Sequence, residues 1–295
     1  MRFNVNEIDD RYDFFIDGAS YAGNPRNNTM MFITKKVEYL LDNLSGHEQC
    51  LVFLENGIDV PEKLKSNCFV FSDNPQLAYA EFAQQFAGKK MEIERKWGYT
   101  VTKEGYYVGH NVKIGENCYI EPNVLIGHNV IIGDNAVILS GSVIKNAEIG
   151  DGFIANEHAV IGANGFTMAE NPAGKKIRIP TLGKVLIGNC VEIGAHDNIS
   201  CGSGGDTVIE DHVKIDAEVH IGHDAFLAKN TEITAGAIVG GFVCTGEHAY
   251  IGINAVIRNR VRIGKNAFVG MGAVVTKSVD ENITVVGNPA RPFRK

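Results

Sequence analysis

His223 and Gly241 stand 18 residues apart, and each brings something a reaction can use. An imidazole near its normal pKa can take a proton from a nucleophile. A glycine lets a reacting group approach a backbone N–H, which can stabilise a developing oxyanion. The spacing matters because of its surroundings. An aliphatic residue recurs every six positions at Val108, Ile114, Ile120, Ile126, Ile132, Ile138 and Ile144. It recurs again at Ile209, Ile215, Ile221, Leu227, Ile233, Val239, Ile251, Ile257, Ile263, Val269 and Val275, with Thr245 the one polar member. A helix repeats near 3.6 residues and a lone strand at 2. A fixed period of six predicts a β-solenoid whose hexads are each a short strand and a turn, with one aliphatic pointing inward. Gly often follows the aliphatic residue, as in Ile114-Gly115, Ile221-Gly222 and Ile263-Gly264, and reads as the corner of a coil.

The elements around this repeat divide the chain. Residues 1–100 lack the beat and read as a small α/β domain. Lys35 to Leu44 places Val37, Leu40, Leu41 and Leu44 on one helical face, and Pro75 opens a second helix through Phe86. The stretches 50–57 and 67–74 read as short buried strands. A charged linker over 89–104 holds the only tryptophan, Trp97, and the solenoid runs over 101–286 with a short tail at 287–295. The beat is one residue short between Ile144 and Ile149, and two stretches break it: the long excursion 163–184 and the Gly-rich 200–208. Loops thrown out of a rigid scaffold are where sites tend to be built.

Composition narrows the function. The chain has 295 residues, 44% hydrophobic and 21% charged, with a net charge of −7. An acidic chain argues against nucleic acid as the main ligand. No run approaches a membrane span, and the N-terminus lacks the layout of a signal peptide. Six cysteines without a regular spacing read as reduced thiols, so a cytoplasmic protein is expected.

Several of these motifs together resemble one family. The hexads with their Ile-Gly step are similar to the left-handed parallel β-helix of the hexapeptide-repeat acyltransferases. Gly165-Phe166, the return Ile179-Pro180-Thr181-Leu182-Gly183, the step Asp206-Thr207-Val208-Ile209 and Ile221-Gly222-His223-Asp224 look like the UDP-3-O-acylglucosamine N-acyltransferases of lipid A biosynthesis. The resemblance extends to 30–40 and 73–86, which are similar to that family's uridine-binding domain. It implies three strands, about 18 residues, per coil. It also implies transfer of an acyl group from a thioester to the amine of a nucleotide-linked amino sugar, in a homotrimer. His223 is then the general base and Gly241, one coil on, the oxyanion donor. Asp216 matches a family Asp that could orient the imidazole, and a solvated turn residue is an equal reading. Phe32, Tyr39, Phe166 and His220 are the substrate-binding candidates. Phe32 is retained from the family's uridine site, its Asn-Pro pair is not, and Tyr39 sits one residue late.

In place of a second family His this chain has Arg260, a candidate for a phosphate of the donor or of the sugar nucleotide. With Lys265, Lys277, Arg291, Arg294 and Lys295 it makes the C-terminal coils basic. The donor is expected to be a CoA or acyl-carrier-protein thioester. The ending VVGNPARPFRK, similar to acetyl-CoA-dependent sugar acetyltransferases, favours a small or medium acyl-CoA. No bound cofactor or metal is expected. Three alternatives stay open: a nucleotide-sugar N-acetyltransferase of surface polysaccharide synthesis, a non-catalytic binding or scaffold solenoid, and a hexapeptide-repeat carbonic anhydrase. The last needs three zinc-binding histidines, of which only His110 and His128 stack one coil apart.

Overall fold

A computed structural model describes residues 2–293 of the chain. Arg294 and Lys295, two of the basic residues noted above, lie outside the described residues. Two compact units form, and the chain passes between them repeatedly. One comprises Met1–Lys96, Phe166–Gly183 and Ser203–Gly205; the other comprises Trp97–Gly165, Lys184–Gly202 and Asp206–Lys295. Most of the 163–184 excursion thus falls in the first unit, rather than in the solenoid where the sequence places it.

The second unit is the expected left-handed parallel β-helix. Its strands form three sheets, the faces of the coil. The first face contains Leu125–Ile126, Asn198–Ser200, His220–Ile221, Ile238–Val239 and Val256–Ile257. The second contains Thr207–Ile209, Phe226–Leu227 and Cys244–Thr245, and the third Lys214–Ile215, Glu232–Ile233 and Tyr250–Ile251. In regular coils each residue pairs with the one 18 positions on, as Ile126 does with Ile144 and Ile221 with Val239. The short hexad is absorbed without loss of pairing, Ile132 meeting Ile149. Antiparallel strands close two ladders: Thr100–Val101 on Tyr107–Val108, and Arg291–Pro292 on Val285 and Val286.

Two inward residues serve each hexad, not one. The aliphatic beat is buried, and so is a small residue two positions earlier: Val219 before Ile221, Ala225 before Leu227, Ala237 before Val239 and Ala255 before Ile257. Residues two apart on a strand share a face, and a narrow coil has room for only one large side chain of the pair. Thr245, the polar beat, is also buried. Its hydroxyl bonds Thr231 Oγ1 at 2.8 Å and accepts Ala228 N–H at 3.0 Å, so no donor is stranded.

The corners work differently from the sequence expectation. Glycine after the beat is needed for close approach rather than for turning: a Cβ on Gly222 would lie 2.5 Å from the Gly241 nitrogen. The left-handed turn falls two residues later, with positive φ at Asn111, Asn129, Asn230, Asn254 and Asn266 among others. Asn tolerates that region better than most residues.

The first unit holds a parallel sheet ordered Gly18–Ala19, Thr29–Ile33, Leu51–Glu55, Cys68–Ser72. A helix, α1 (Pro75–Glu94), is capped by Asn74, whose side chain accepts Leu77 N–H at 3.0 Å, and runs two turns past the expected Phe86. The excursion folds into an antiparallel hairpin, Thr167–Glu170 with Lys176–Ile179. Its Ala169 and Ile179 are buried in one cluster with Tyr79, Ala83 and Phe86 of α1. Lys35–Leu44 is a 3-10 segment kinked at Val37 rather than a regular helix, and its Leu40, Leu41 and Leu44 join a separate cluster.

One buried charge stands out in the solenoid. Asp197 has no exposed surface, and its carboxylate accepts Val219 N–H at 2.7 Å and Gly194 N–H at 2.8 Å. Burial pushes its carboxyl up to about 7 against those two bonds, with Asp216 nearby adding to the rise. The folded chain therefore keeps a proton that the unfolded chain releases near pH 4. That contribution is whole below the unfolded value and is lost as pH rises to about 7. The denaturant midpoint should fall between about pH 4 and 7 and level off above, on the order of a few kcal/mol in stability. The Asp197→Asn variant should lose most of that slope; an equal slope in the variant would assign the pH dependence elsewhere.

Candidate active site

Two successive coils carry long breaks at the same edge. The 163–184 excursion leaves the first face after Val160–Ala163 and rejoins the second at Val185–Ile187. The 200–206 stretch connects the same two faces one coil later, between Asn198–Ser200 and Thr207–Ile209. His223 sits on the next coil, between His220–Ile221 and Phe226–Leu227. The two long breaks thus fall on the two coils that precede His223.

His223 is held by its neighbour. Its Nδ1 lies 2.7 Å from Asp224 Oδ2, with the imidazole 18% and the carboxylate 5% exposed. A carboxylate only accepts, so the hydrogen of this bond sits on Nδ1, and in the neutral ring Nε2 is the accepting nitrogen. Asp224 is fixed in turn: its N–H donates to Thr207 Oγ1 at 2.9 Å, and that buried hydroxyl donates to Ser200 O at 2.7 Å. The Asp-Thr-Val-Ile step and the second break thereby support the carboxylate that holds the His223 ring.

Gly241 stacks where the 18-residue spacing puts it. A Cβ built there would lie 2.9 Å from His223 Nε2, so only glycine leaves the ring its place. The Gly241 carbonyl accepts Arg260 N–H at 3.0 Å, while the Gly241 N–H meets no acceptor among the described residues. A lone pair and an open amide donor thus share one stretch of edge. Phe242 sets its ring edge-on to the imidazole at 5.4 Å, and the Arg260 guanidinium lies 4.2 Å from the centre of the Phe242 ring.

The remaining candidates are placed elsewhere. Asp216 follows the third face, at the preceding corner, and its Oδ1 accepts Ala217 N–H at 2.8 Å. Seven residues of a six-residue repeat carry it past a whole face, and the orienting carboxylate is Asp224 instead. Asp224 was hidden in the sequence because Asp also fits a left-handed corner, which is where it sits. His220 is half-buried on the first face, and burial, then the charge of His223, holds its pKa below the usual range.

Phe32, Tyr39 and Phe166 belong to the first unit. Phe32 packs against Tyr79 of α1 at 5.3 Å, in the cluster on that side of the sheet. Tyr39 is 70% exposed on the segment whose leucines pack in the other cluster, so the two rings do not form one sandwich. Phe166 is 76% exposed, with the Arg178 guanidinium 5.1 Å from its ring centre. His110 and His128 are covered by aromatic rings, Trp97 stacking on the first at 4.6 Å and Tyr99 lying 4.7 Å from the second. Among the described residues, no three His, Cys, Asp or Glu side chains are grouped to hold a metal. Among the same residues, no helix is long and apolar enough to cross a membrane.

The chain is similar to several acyltransferases. The bacterial transferase hexapeptide repeat matches residues 111–146 and 245–277. A UDP-3-O-acylglucosamine N-acyltransferase of Coxiella burnetii is 41% identical over 100 residues, 34% of this chain and 29% of the relative. That of Herminiimonas arsenicoxydans is 44% identical over 95 residues, covering 32% and 27%. The chain therefore spans under a third of the length of the curated relatives it matches. Among solved structures, the UDP-N-acetylglucosamine acyltransferase of Francisella novicida superposes with a TM-score of 0.59 at 26% identity, over 66% of this chain and 70% of that one. The enzyme of the same name from Bacteroides fragilis gives 0.57 at 25%, over 66% and 74%. The resemblance read from the sequence and the left-handed helix are met by these relatives.

The two glycines of this edge should separate by substitution. Gly222→Ala drives a Cβ into backbone and should cost roughly 1–3 kcal/mol in denaturant unfolding. Gly241→Ala meets the His223 ring at 2.9 Å and the His223 carbonyl at 3.1 Å, so its cost should be smaller, about 0.5–1 kcal/mol. The His223 ring resonances should nevertheless shift in an NMR spectrum. Equal destabilisation by both, with the resonances unmoved, would make Gly241 a packing residue only.

Proposed function

We propose that this hexapeptide-repeat chain is an N-acyltransferase. It moves an acyl group from a thioester onto the amine of a nucleotide-linked amino sugar, the activity in the name of its curated relatives. The observation that carries the reading is the Asp224–His223 pair, with Nε2 beside the open N–H of Gly241. The amine attacks the thioester carbonyl, a C–N bond forms, and the carbonyl electron pair moves onto oxygen. His223 Nε2 takes the proton from the amine, and Asp224 stabilises the resulting imidazolium. Gly241 N–H is the donor for the oxyanion. Collapse breaks the C–S bond, and the imidazolium returns its proton to the departing thiolate.

The acceptor's nucleotide falls to the first unit, where Tyr39 is the exposed ring available for stacking. Phe166 with Arg178 supplies a second aromatic platform beside a cation. The donor is a small or medium acyl-CoA, whose phosphates Arg260 and Arg262 of the basic coils can meet. Acyl carrier protein is the competing donor, and the ratio of turnover with the two decides between them.

Turnover of acyl thioesters with nucleotide amino sugars, followed as free thiol, tests the activity. His223→Ala should lower kcat by roughly 10²–10⁴ with the fold intact, and Tyr39→Ala should raise the acceptor KM. No thiol release with any such pair rejects the reading.

The same reading includes a homotrimer. Outward positions of the first face form two apolar runs, Leu125, Val143 and Val160 on one side of Asn198 and His220, and Ile238, Val256 and Val274 on the other. Ile238 and Val256 are exposed in the single chain, a cost that a second copy would remove. Light scattering should return three times the monomer mass, and a monomer at working concentration would discard the assembly.

A further inference from the structure

The left-handed corners of the solenoid hold mostly residues that tolerate that backbone. Beside His223, Asp224 suits its corner, but Phe242 and Arg260 do not. The corner positions on three successive coils are Asp224, Phe242 and Arg260, with φ of 59°, 60° and 63°. The neighbouring corners at Asn230, Asn254 and Asn266 carry Asn. A bulky aromatic with positive φ is an outlier. Strain of this kind persists where something else over-determines it.

The contacts show what Phe242 does from that position. Its N–H bonds the His223 carbonyl at 2.9 Å, and its ring stands at 87° to the imidazole, with centres 5.4 Å apart. The edge of one ring against the face of the other is a favoured aromatic geometry. Arg260 lies over the phenyl ring at 4.2 Å, and its own N–H holds the Gly241 carbonyl. The imidazole is thus held by a hydrogen bond through Nδ1 and by an aromatic wall, and the wall is braced by a cation on the next coil. Asn at 242 would suit the backbone better and would provide no wall.

We infer that Phe242 is a positioning residue for His223. It spends backbone strain to keep Nε2 aimed over Gly241, and Arg260 pins the ring that does so. The kinetic part of this inference rests on the acyl-transfer reading. Its spectroscopic part does not.

The decisive variant is Phe242→Asn, with Phe242→Tyr as the conservative control and Phe242→Leu as a ringless variant of similar bulk. Phe242→Asn should melt no lower than the wild type. Its kcat should fall about tenfold or more with the acceptor KM within about twofold, as expected for a displaced reacting group. The Tyr variant should keep kcat within about threefold, and the Leu variant should follow Asn. In the same proteins, without substrate, carbethoxylation of His223 by diethyl pyrocarbonate, followed by mass spectrometry, should speed up several-fold in Asn and Leu but not in Tyr. Unchanged His223 reactivity in both ringless variants overturns the proposal, whatever their turnover. So does a kcat within twofold of wild type in a folded Phe242→Asn. Should the wild type transfer no acyl group at all, the acyl-transfer reading fails, and the reactivity series alone decides the role of Phe242.

Discussion

Parallel backbone pairing of each residue with the one 18 positions on is the constraint everything else in the solenoid obeys. It is visible in bonds such as Gly222 N–H to the Val239 carbonyl at 2.7 Å and Gly240 N–H to the Ile257 carbonyl at 3.0 Å. With both faces of a coil corner tied this way, side chains on one edge cannot slide past one another. A change of one residue in register would move every inward aliphatic outward. The pairing therefore fixes chemistry as well as fold: the residue above His223 is Gly241, and the corner above Asp224 is Phe242, because no other register is open to them.

The same constraint explains where the chain is irregular. Inserted residues must leave from a corner, since a strand that bulged would lose its ladder on both sides. Both long departures use one edge, and the polar machinery of the site is built from their roots: Ser200 and Thr207 flank the second departure and hold Asp224. A rigid repeat supplies the geometry, and the departures supply the residues that a repeat by itself would not contain.

Periodicity made the solenoid legible, because an inward aliphatic is demanded at every hexad and few residue types satisfy it. The second inward column escaped notice, since Ala and Val two positions earlier are common anywhere. That Gly241 stacks beside His223 was legible from the 18-residue spacing. Asp224 was not, because its residue type is also what a left-handed corner favours, and Asp216 looked equally apt until the corners were counted. The hairpin's destination was illegible for another reason. Thr167–Glu170 and Lys176–Ile179 are short and half polar, and nothing in their pattern says which core Ala169 and Ile179 will complete.

That hairpin has a consequence for synthesis. Ala169 and Ile179 belong to the core of a unit whose sheet and helix end by residue 96. A nascent chain that has released α1 from the ribosome still lacks part of the surface the helix must bury. About seventy residues of solenoid have to emerge before the missing piece arrives. The unit made first is thus finished late, and Tyr79, Ala83 and Phe86 wait with incomplete cover in the meantime. A chaperone that binds exposed apolar helices would find its longest window on this chain there, ahead of the repeat that looks the harder part to fold.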